Sequence, residues 1–465
     1  MNNIGERKLL LYQKTTLVFD KGGNKLNFYN INNIEELTIE RIQTIVNDFK
    51  TRLQPVLTTR GKYYNGMQKI KNKAYSDPSK PCTKAVVNYC RTVTDIYNGF
   101  LTGKAISYVS DDDIEDIQQT LKYNDSKRED SLLLRNALIY GVGYEVVYMD
   151  EDKQIRFKGL DSCGCIPIFN TTLNEDLIAV LRFWPVDSLD KGKGYYFELY
   201  NDKQIITYKS DENFSAPQVI DIKEHYFKQV PIIVYKINDS YDNIFDCIVD
   251  LQDAYNELYS SEIDDFEAFV DAYLVLKGAN LNIDNKEDAE TLKNMRQNRI
   301  MFLDNDGSAD YLTKQIDDTQ IQNLLQNTND LIHKISNAPD FNDEKFLAQS
   351  GIAMRYKLQA FENAASYIES YLKESLQRRI ELISTILTLS YDDISVWRDI
   401  DIVFTRNLPE NLTDIVTVIS QLRGLVSDET LLSLLPFVSD PKAELEKQKA
   451  DKPKVDYFPD EDDTE

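Results

Sequence analysis

Residues 242–271 read DNIFDCIVDLQDAYNELYSSEIDDFEAFVD. Ile244, Ile248, Leu251, Tyr255, Leu258, Tyr259, Ile263, Phe266 and Val270 recur mostly three or four apart, the spacing of one face of a helix. Such a helix would span about 45 Å. Its other face carries Asp242, Asp246, Asp250, Asp253, Glu257, Glu262, Asp264, Asp265, Glu267 and Asp271, with no Lys or Arg between them. Like charges at i,i+4 cost an isolated helix about 0.2–0.5 kcal/mol per pair. A face of one sign therefore needs a cationic partner or a purpose.

Downstream lies a compact insert from Ala272 to Ile316. It reads as a β run (Tyr273–Leu276), a short helix (Asn285–Gln297) and a second β run (Arg299–Leu303) closed by Asp304-Asn305-Asp306-Gly307. A second helix, Asp318–Ser336, would reach about 28 Å. Pro339 breaks it, and Ala338–Gln349 is a polar loop. Ser350 is a helix cap for a long helix from Gly351 to about Leu389. Ile394–Phe404 is a strand, and 411–437 gives two or three short apolar helices around Gly424. The tail from Pro441 is Lys- and Glu-rich and turns wholly acidic beyond Asp456, so disorder is expected there.

Upstream the pattern is different. Short β-type runs (Ile155–Phe157, Cys165–Phe169, Leu177–Trp184, Tyr195–Tyr200, Gln204–Tyr208 and Val230–Tyr235) alternate with turn residues, as in an antiparallel subdomain. A helix through Leu132, Leu133, Leu134 and Leu138 passes Gly141 and Gly143 into a strand, Tyr144–Met149. Ile34–Lys50 has the periodicity of an amphipathic helix. Residues 1–40 read as a peripheral arm with short strands. The block 51–104 is strongly basic, with Arg52, Arg60, Lys62, Lys69, Lys71, Lys73, Lys80, Lys84, Arg91 and Lys104 against Asp77 and Asp95. It is either a phosphate-facing patch or a surface that balances acidic neighbours, within the chain or across a subunit contact. The fold class is α+β.

Composition narrows the function. Of 465 residues, 42% are hydrophobic and 11% aromatic, enough for a sizeable core. The net charge of −24 argues against wrapping DNA, because phosphate binding needs Lys and Arg to displace counterions. No run approaches the length of a membrane span, and the first residues lack the apolar core of a signal peptide. Five Cys give no disulfide framework, and a reducing compartment is expected. With His225 and His333 the only two His, His-based metal and acid–base designs are nearly excluded.

The remaining motifs read as ordinary structure. Asp111-Asp112-Asp113 invites a two-metal reading, but successive acids point in different directions and suit a helix start better. Gly141-Val142-Gly143 lacks the third glycine and following helix of a dinucleotide loop. Cys163 and Cys165 have no second pair at zinc spacing. No nucleophile motif accompanies His225. No catalytic, cofactor or metal site is expected, and the chain reads as a non-enzyme.

The element order, together with short motifs, resembles the portal proteins of tailed bacteriophages, the family typified by the portal of phage SPP1. Tyr64-Asn65-Gly66 with Ile70 is similar to an early motif of that family. Tyr97-Asn98-Gly99-Phe100-Leu101-Thr102-Gly103-Lys104 is similar to its Gly-Tyr-Leu-x-Gly-Lys-Pro segment, with Ala105 where Pro is frequent. Tyr140 to Glu145 match the following helix-to-strand turn. His225-Tyr226-Phe227 with Val230 to Ile233, Asp253 to Asn256, Asp271 to Leu274, and Ser350 to Ala353 with Tyr356-Lys357-Leu358 continue the series. Lys228 stands where the family often has Gly.

The resemblance implies a portal fold that assembles as a ring. Residues 1–40 would be an N-terminal arm, 41–240 the wing, 241–269 and 317–337 the stem helices, and 270–316 the clip. Residues 338–349 would form the tunnel loop, 350–410 a long helix and wing strand, 411–440 the crown, and 441–465 a disordered acidic tail. It implies a homo-oligomer, with twelve copies expected in the virion, at one capsid vertex. Its implied partners are the large terminase ATPase, the head-tail adaptor, the major capsid and scaffolding proteins, and double-stranded DNA bound without sequence preference. Assembly would take place in the host bacterial cytoplasm.

Twelve helices each about 10 Å wide would enclose a lumen of about 28 Å, room for a duplex of about 20 Å. A duplex must slide, and cationic walls would trap it. An acidic stem (Asp246, Asp250, Asp253, Glu257, Asp264) would repel it weakly over about 8 Å, unless those acids meet the basic block of a neighbour. Asn342, Lys345 and Gln349 are candidates for transient DNA contact at the loop, and Arg296 and Arg299 for partner docking at the clip. Two other classes remain open. One is a ring-forming connector without a DNA channel; the other is a carboxylate-metal enzyme at Asp111 to Asp113.

Overall fold

The computed structural model describes residues 28–75, 81–270, 273–277, 290, 308–312, 318–341, 351–388, 396–406, 412–435, 438 and 441–451. The β runs legible in the sequence build two sheets. The larger contains β1 (Tyr29–Asn30), β5 (Cys165–Phe169), β6 (Leu177–Pro185), β7 (Tyr195–Tyr200), β8 (Gln204–Ser210) and β9 (Gln218–Glu224), in that spatial order. Its pairs are antiparallel except β1, the first described strand, which runs parallel to β5. Strand β9 has no counterpart among the expected runs. All seven of its residues are exposed, so no inward–outward alternation marks it.

The smaller sheet has the order β10-β3-β4, from β3 (Val142–Met149), β4 (Ile155–Leu160) and β10 (Ile232–Lys236). Side chains alternate across a strand, and here the alternation separates two cores. Val142, Tyr144, Val146 and Ile232 join the larger sheet and the helices α1 (Ile39–Asp48) and α2 (Gln54–Tyr64). Val147, Phe157, Ile233 and Tyr235 join α3 (Tyr89–Thr102), α4 (Glu115–Tyr123), α5 (Ser126–Tyr140) and the long helix α8 (Gly351–Leu387).

On that second face Arg379 of α8 is fully buried. Its Nε and Nη2 donate to the two oxygens of Glu145 at 2.9 Å, and Nη1 donates to Asp130 at 2.6 Å. Tyr235 Oη donates to Glu145 at 2.7 Å, and the guanidinium lies 4.4 Å from the centre of the Phe157 ring. Burial pushes both carboxyls up from their ordinary range. The cluster thus fastens α8 to the sheet through charges costly to bury and costlier to leave unpaired.

Several boundaries differ from expectation. The helix read as Ile34–Lys50 begins at Ile39, because Thr38 Oγ1 accepts from Arg41 N and caps it there. It then runs through a π turn, Phe49–Leu53, into α2, whose Pro55 has no N–H to place in a regular ladder. Helix α2 ends at Asn65 and Gly66, with φ of +77° at Gly66, a left-handed cap that glycine adopts without strain. The acidic helix starts at Val249 rather than Asp242. Before it, Asn238 and Asn243 close local turns with Asp242 and Phe245, and a 3-10 turn spans Asp246–Ile248. The resulting α6 is Val249–Val270, about 33 Å long.

Within the insert, β11 (Tyr273–Lys277) pairs antiparallel with β12 (Ser308–Leu312). Apart from Glu290, the expected helix Asn285–Gln297 and the run Arg299–Leu303 lie outside the described residues. Helix α7 is Asp318–Ser336, with the expected bounds. The strand read as Ile394–Phe404 contracts to β13 (Asp401–Val403), paired with β2 (Ser107–Val109) after a 3-10 turn at Val396–Asp399. Helices α9 (Leu412–Leu422) and α10 (Asp428–Ser433) flank Gly424 as expected.

The tail was expected to be disordered from residue 441, and its first part is instead helix α11 (Pro441–Asp451). Proline suits a first helical position, Ala, Glu, Lys and Gln favour a helix, and Lys442 pairs with Asp111 at 2.8 Å. Residues 452–465 lie outside the described residues.

Candidate functional site

Helix α6 is the element whose acidic face posed a question in the sequence, and its buried stripe answers part of it. Gln252, Asn256, Ser260 and Asp264 stand four apart and are all buried. They meet the backbone of the segment leading into α3. Tyr89 N donates to Gln252 at 2.8 Å, Val87 N to Asn256 at 2.9 Å, Ala85 N to Ser260 at 3.1 Å and Thr83 N to Asp264 at 2.6 Å. Gln252 Nε2 returns a bond to Val87 O at 2.6 Å. Four residues of helix rise about 6.0 Å, and two residues of extended chain about 6.6 Å. The two repeats nearly coincide, so a polar stripe on a helix takes the place of a partner strand. Asn256 also donates to Gln68 Oε1 at 2.6 Å, and Gln68 in turn to Asn88 at 2.9 Å.

The acids beside this stripe meet the basic block of the same chain. Arg60 Nη2 is 2.5 Å from Asp246 Oδ2, and its Nη1 donates to Tyr140 O and Tyr241 O. Gly141, at φ +80°, makes room for that packing. A Cβ there would lie 2.1 Å from Tyr241 O and 2.7 Å from the Arg60 guanidinium. Tyr63 donates to Asp253 at 3.0 Å. Lys73 pairs with Glu257 at 3.3 Å and with Asp264 at 3.1 Å. Burial pushes the Asp246 and Asp253 carboxyls up. At Asp264 burial acts in the same direction but is outweighed by the Thr83 and Lys73 donors, and the carboxyl is held below its usual range.

Of the five acids singled out from the sequence, Asp246, Asp253, Glu257 and Asp264 therefore face partners within the chain, and Asp250 is exposed. Sequence reasoning missed the ladder itself. Its signal was present as Gln252, Asn256, Ser260 and Asp264 at strict i+4 spacing, on what a charge count reads as part of the polar face.

Helix α7 packs along α6. Gln322 donates to Glu262 at 2.7 Å, and Tyr89, which donates to Asn329 at 2.7 Å, meets the Tyr255 and His333 rings edge-on. It ends where the sequence breaks it. Asn337 takes φ +55°, Ser336 O accepts from Tyr97 Oη at 2.9 Å, and His333 Nδ1 bonds Ala338 O at 2.9 Å. Away from the seam the pair presents exposed apolar side chains, namely Leu324, Leu331 and Ile335 on α7 with Tyr259 and Phe266 on α6.

The loop candidates Asn342, Lys345 and Gln349 and the clip candidates Arg296 and Arg299 lie outside the described residues. The Asp111–Asp113 run precedes α4, where Asp113 Oδ1 accepts from Glu115 N at 3.0 Å. Among the described residues no three His, Cys, Asp or Glu are placed to hold a metal, and no helix is long and apolar enough to cross a membrane. Burial pushes the Cys90 and Cys163 thiols up to about 12, which keeps them protonated at neutral pH. Burial also lowers the His225 imidazole, whose Nε2 bonds Asn201 O at 2.9 Å.

The chain is an α+β body with two packed helices, a small hairpin between them and a long helix after them. A family model described as phage portal protein, SPP1 Gp6-like, matches residues 43–456, and the chain belongs to that family. It is 21% identical over 452 residues to the portal protein of Bacillus phage SPP1, a match covering 89% of this chain and 88% of that one. The family is structural, and its members are components of the virion.

Proposed function

We propose that copies of this chain close into a ring at one capsid vertex, with an axial channel through which double-stranded DNA enters during packaging and leaves at infection. The large terminase ATPase docks on the clip during packaging, the head-tail adaptor replaces it afterwards, and the wing meets capsid and scaffolding proteins. The observation that carries this reading is the apolar stripe Leu324, Leu331 and Ile335. It sits on a helix pair whose buried stripe is committed to its own body, and a stripe of this kind is covered when a second copy stands alongside.

The acidic helix then has two tasks. Asp246, Asp253, Glu257 and Asp264 fasten it to the body, which leaves Asp250 and Glu267 on the exposed side to keep a passing duplex from adhering. The loop residues Asn342, Lys345 and Gln349 make transient DNA contacts, and Arg296 and Arg299 contribute to partner docking.

Native mass spectrometry with negative-stain imaging tests the assembly. Rings of wild-type chain are expected, and a Leu324→Asp/Leu331→Asp variant should remain folded by circular dichroism yet fail to close them. A wild type that is a monomer under all conditions would sink the proposal. Removing residues 341–346 should impair packaging or DNA retention while rings persist, and normal packaging would count against the loop assignment.

A further inference from the structure

One edge of the larger sheet is left bare among the described residues. Strand β9 bonds only β8 among the described residues, and Val219, Ile220 and Ile222 are each more than half exposed. A seven-residue edge with apolar side chains on both faces is a template for another strand. Among these side chains Asp221 pairs with Lys223 at 3.4 Å and Glu224 adds an acid, so the edge is net acidic and suits a basic strand better than an acidic one.

We propose that this edge receives residues 7–19 of a neighbouring copy as an added strand, an inference that rests on the ring assembly above. The segment reads RKLLLYQKTTLVF, with Arg7, Lys8 and Lys14 and no acid. Its run of apolar and β-branched residues, Leu9 to Leu11 and Thr15 to Phe19, suits a strand.

Its point of entry argues for a neighbour's edge rather than its own. The segment precedes β1, which occupies the edge opposite β9. Five strand spacings separate the two, about 24 Å. Residues 20–27 reach about 26–29 Å when fully extended. A path within one copy would use nearly all of that length on a straight line across the face where Arg182, Trp184, Tyr196 and Glu198 stand, with nothing left to turn along β9. In a ring, each copy offers different surfaces to its two neighbours. The two edges of one sheet are such a pair, and the arm leaving one edge then arrives at the next copy's other edge.

The test uses the full chain with Cys247→Ser, which removes the exposed thiol, and the pair Leu17→Cys and Ile220→Cys. Under oxidation, assembled rings should give a ladder of cross-linked multimers on a non-reducing gel, collapsing to one band on reduction. A cross-link confined to single chains, or none in intact rings, overturns the proposal. Absence of rings in native mass spectrometry would instead indict the assembly reading. Hydrogen exchange gives a second readout: β9 amides that do not bond β8 should exchange at least about 100-fold faster in rings of chain lacking residues 1–19. Equal rates in the two ring preparations also overturn it, as when a capsid or scaffolding strand, rather than the arm, is the occupant.

Discussion

Arg379 shows how unevenly the loss of a charged partner is felt. Replacing it with Leu strands Glu145 and Asp130 in the second core, and chemical denaturation is expected to register a loss of about 3–5 kcal/mol. Asp130→Asn keeps an oxygen for the guanidinium and should cost within about 1 kcal/mol. Asp264 answers to pH instead. Its folded carboxyl lies below the ordinary range, so its contribution is complete above the unfolded value of about 3.9 and disappears as pH falls through the folded one. The stability difference between wild type and Asp264→Asn should therefore be present at pH 7 and shrink as pH falls below about 3.9. Neither residue announced its role in the sequence. Arg379 sits in the charged run of a long helix, and its two partners lie more than 200 positions away.

The helices of the α6–α8 region were legible from their apolar faces and a breaking proline, whereas α3, with an apolar face and Asn88 as its cap, was not read as a helix. Helix α7 was readable to the residue because Pro339 follows it, and α8, read to about Leu389, to within two residues of its end at Leu387 because its periodicity is long. Element ends set by side chains bonding to nearby backbone, at Thr38, Asn238 and Asn243, were not, since such bonds compete with a helix without altering its hydrophobic pattern. Strand β9 escaped because its apolar side chains are exposed rather than alternating between core and solvent. For α6, the acidic face and the basic block that could balance it were both legible, but the individual pairs were not, since they join residues nearly 200 apart in the chain. The ladder predicts that Asn256→Ala, which orphans Val87 N–H and the Gln68 oxygen, costs about 1–3 kcal/mol for each buried group left unpaired. Hydrogen exchange at Val87 should rise with it, and an unchanged amide there would remove the ladder as the seam's main fastening.

For the whole molecule, the two cores on either side of one three-stranded sheet explain why the body was readable as α+β and yet not as a layered arrangement. The same strand, β3, feeds both cores, and a sequence pattern reports that a residue is buried without saying against what. One consequence of the α6 seam reaches to this scale. Its two scales are graduated unequally, by about 0.6 Å per rung, so after three steps they have slipped by about 2 Å and a fifth rung would miss. The chain stops there: the next helix position is Ala268, with no polar group, and the next facing position is Pro81, with no amide hydrogen. Like a vernier, such a pair of rulers coincides at one setting, so the height at which α6 stands on its body is written into the backbone.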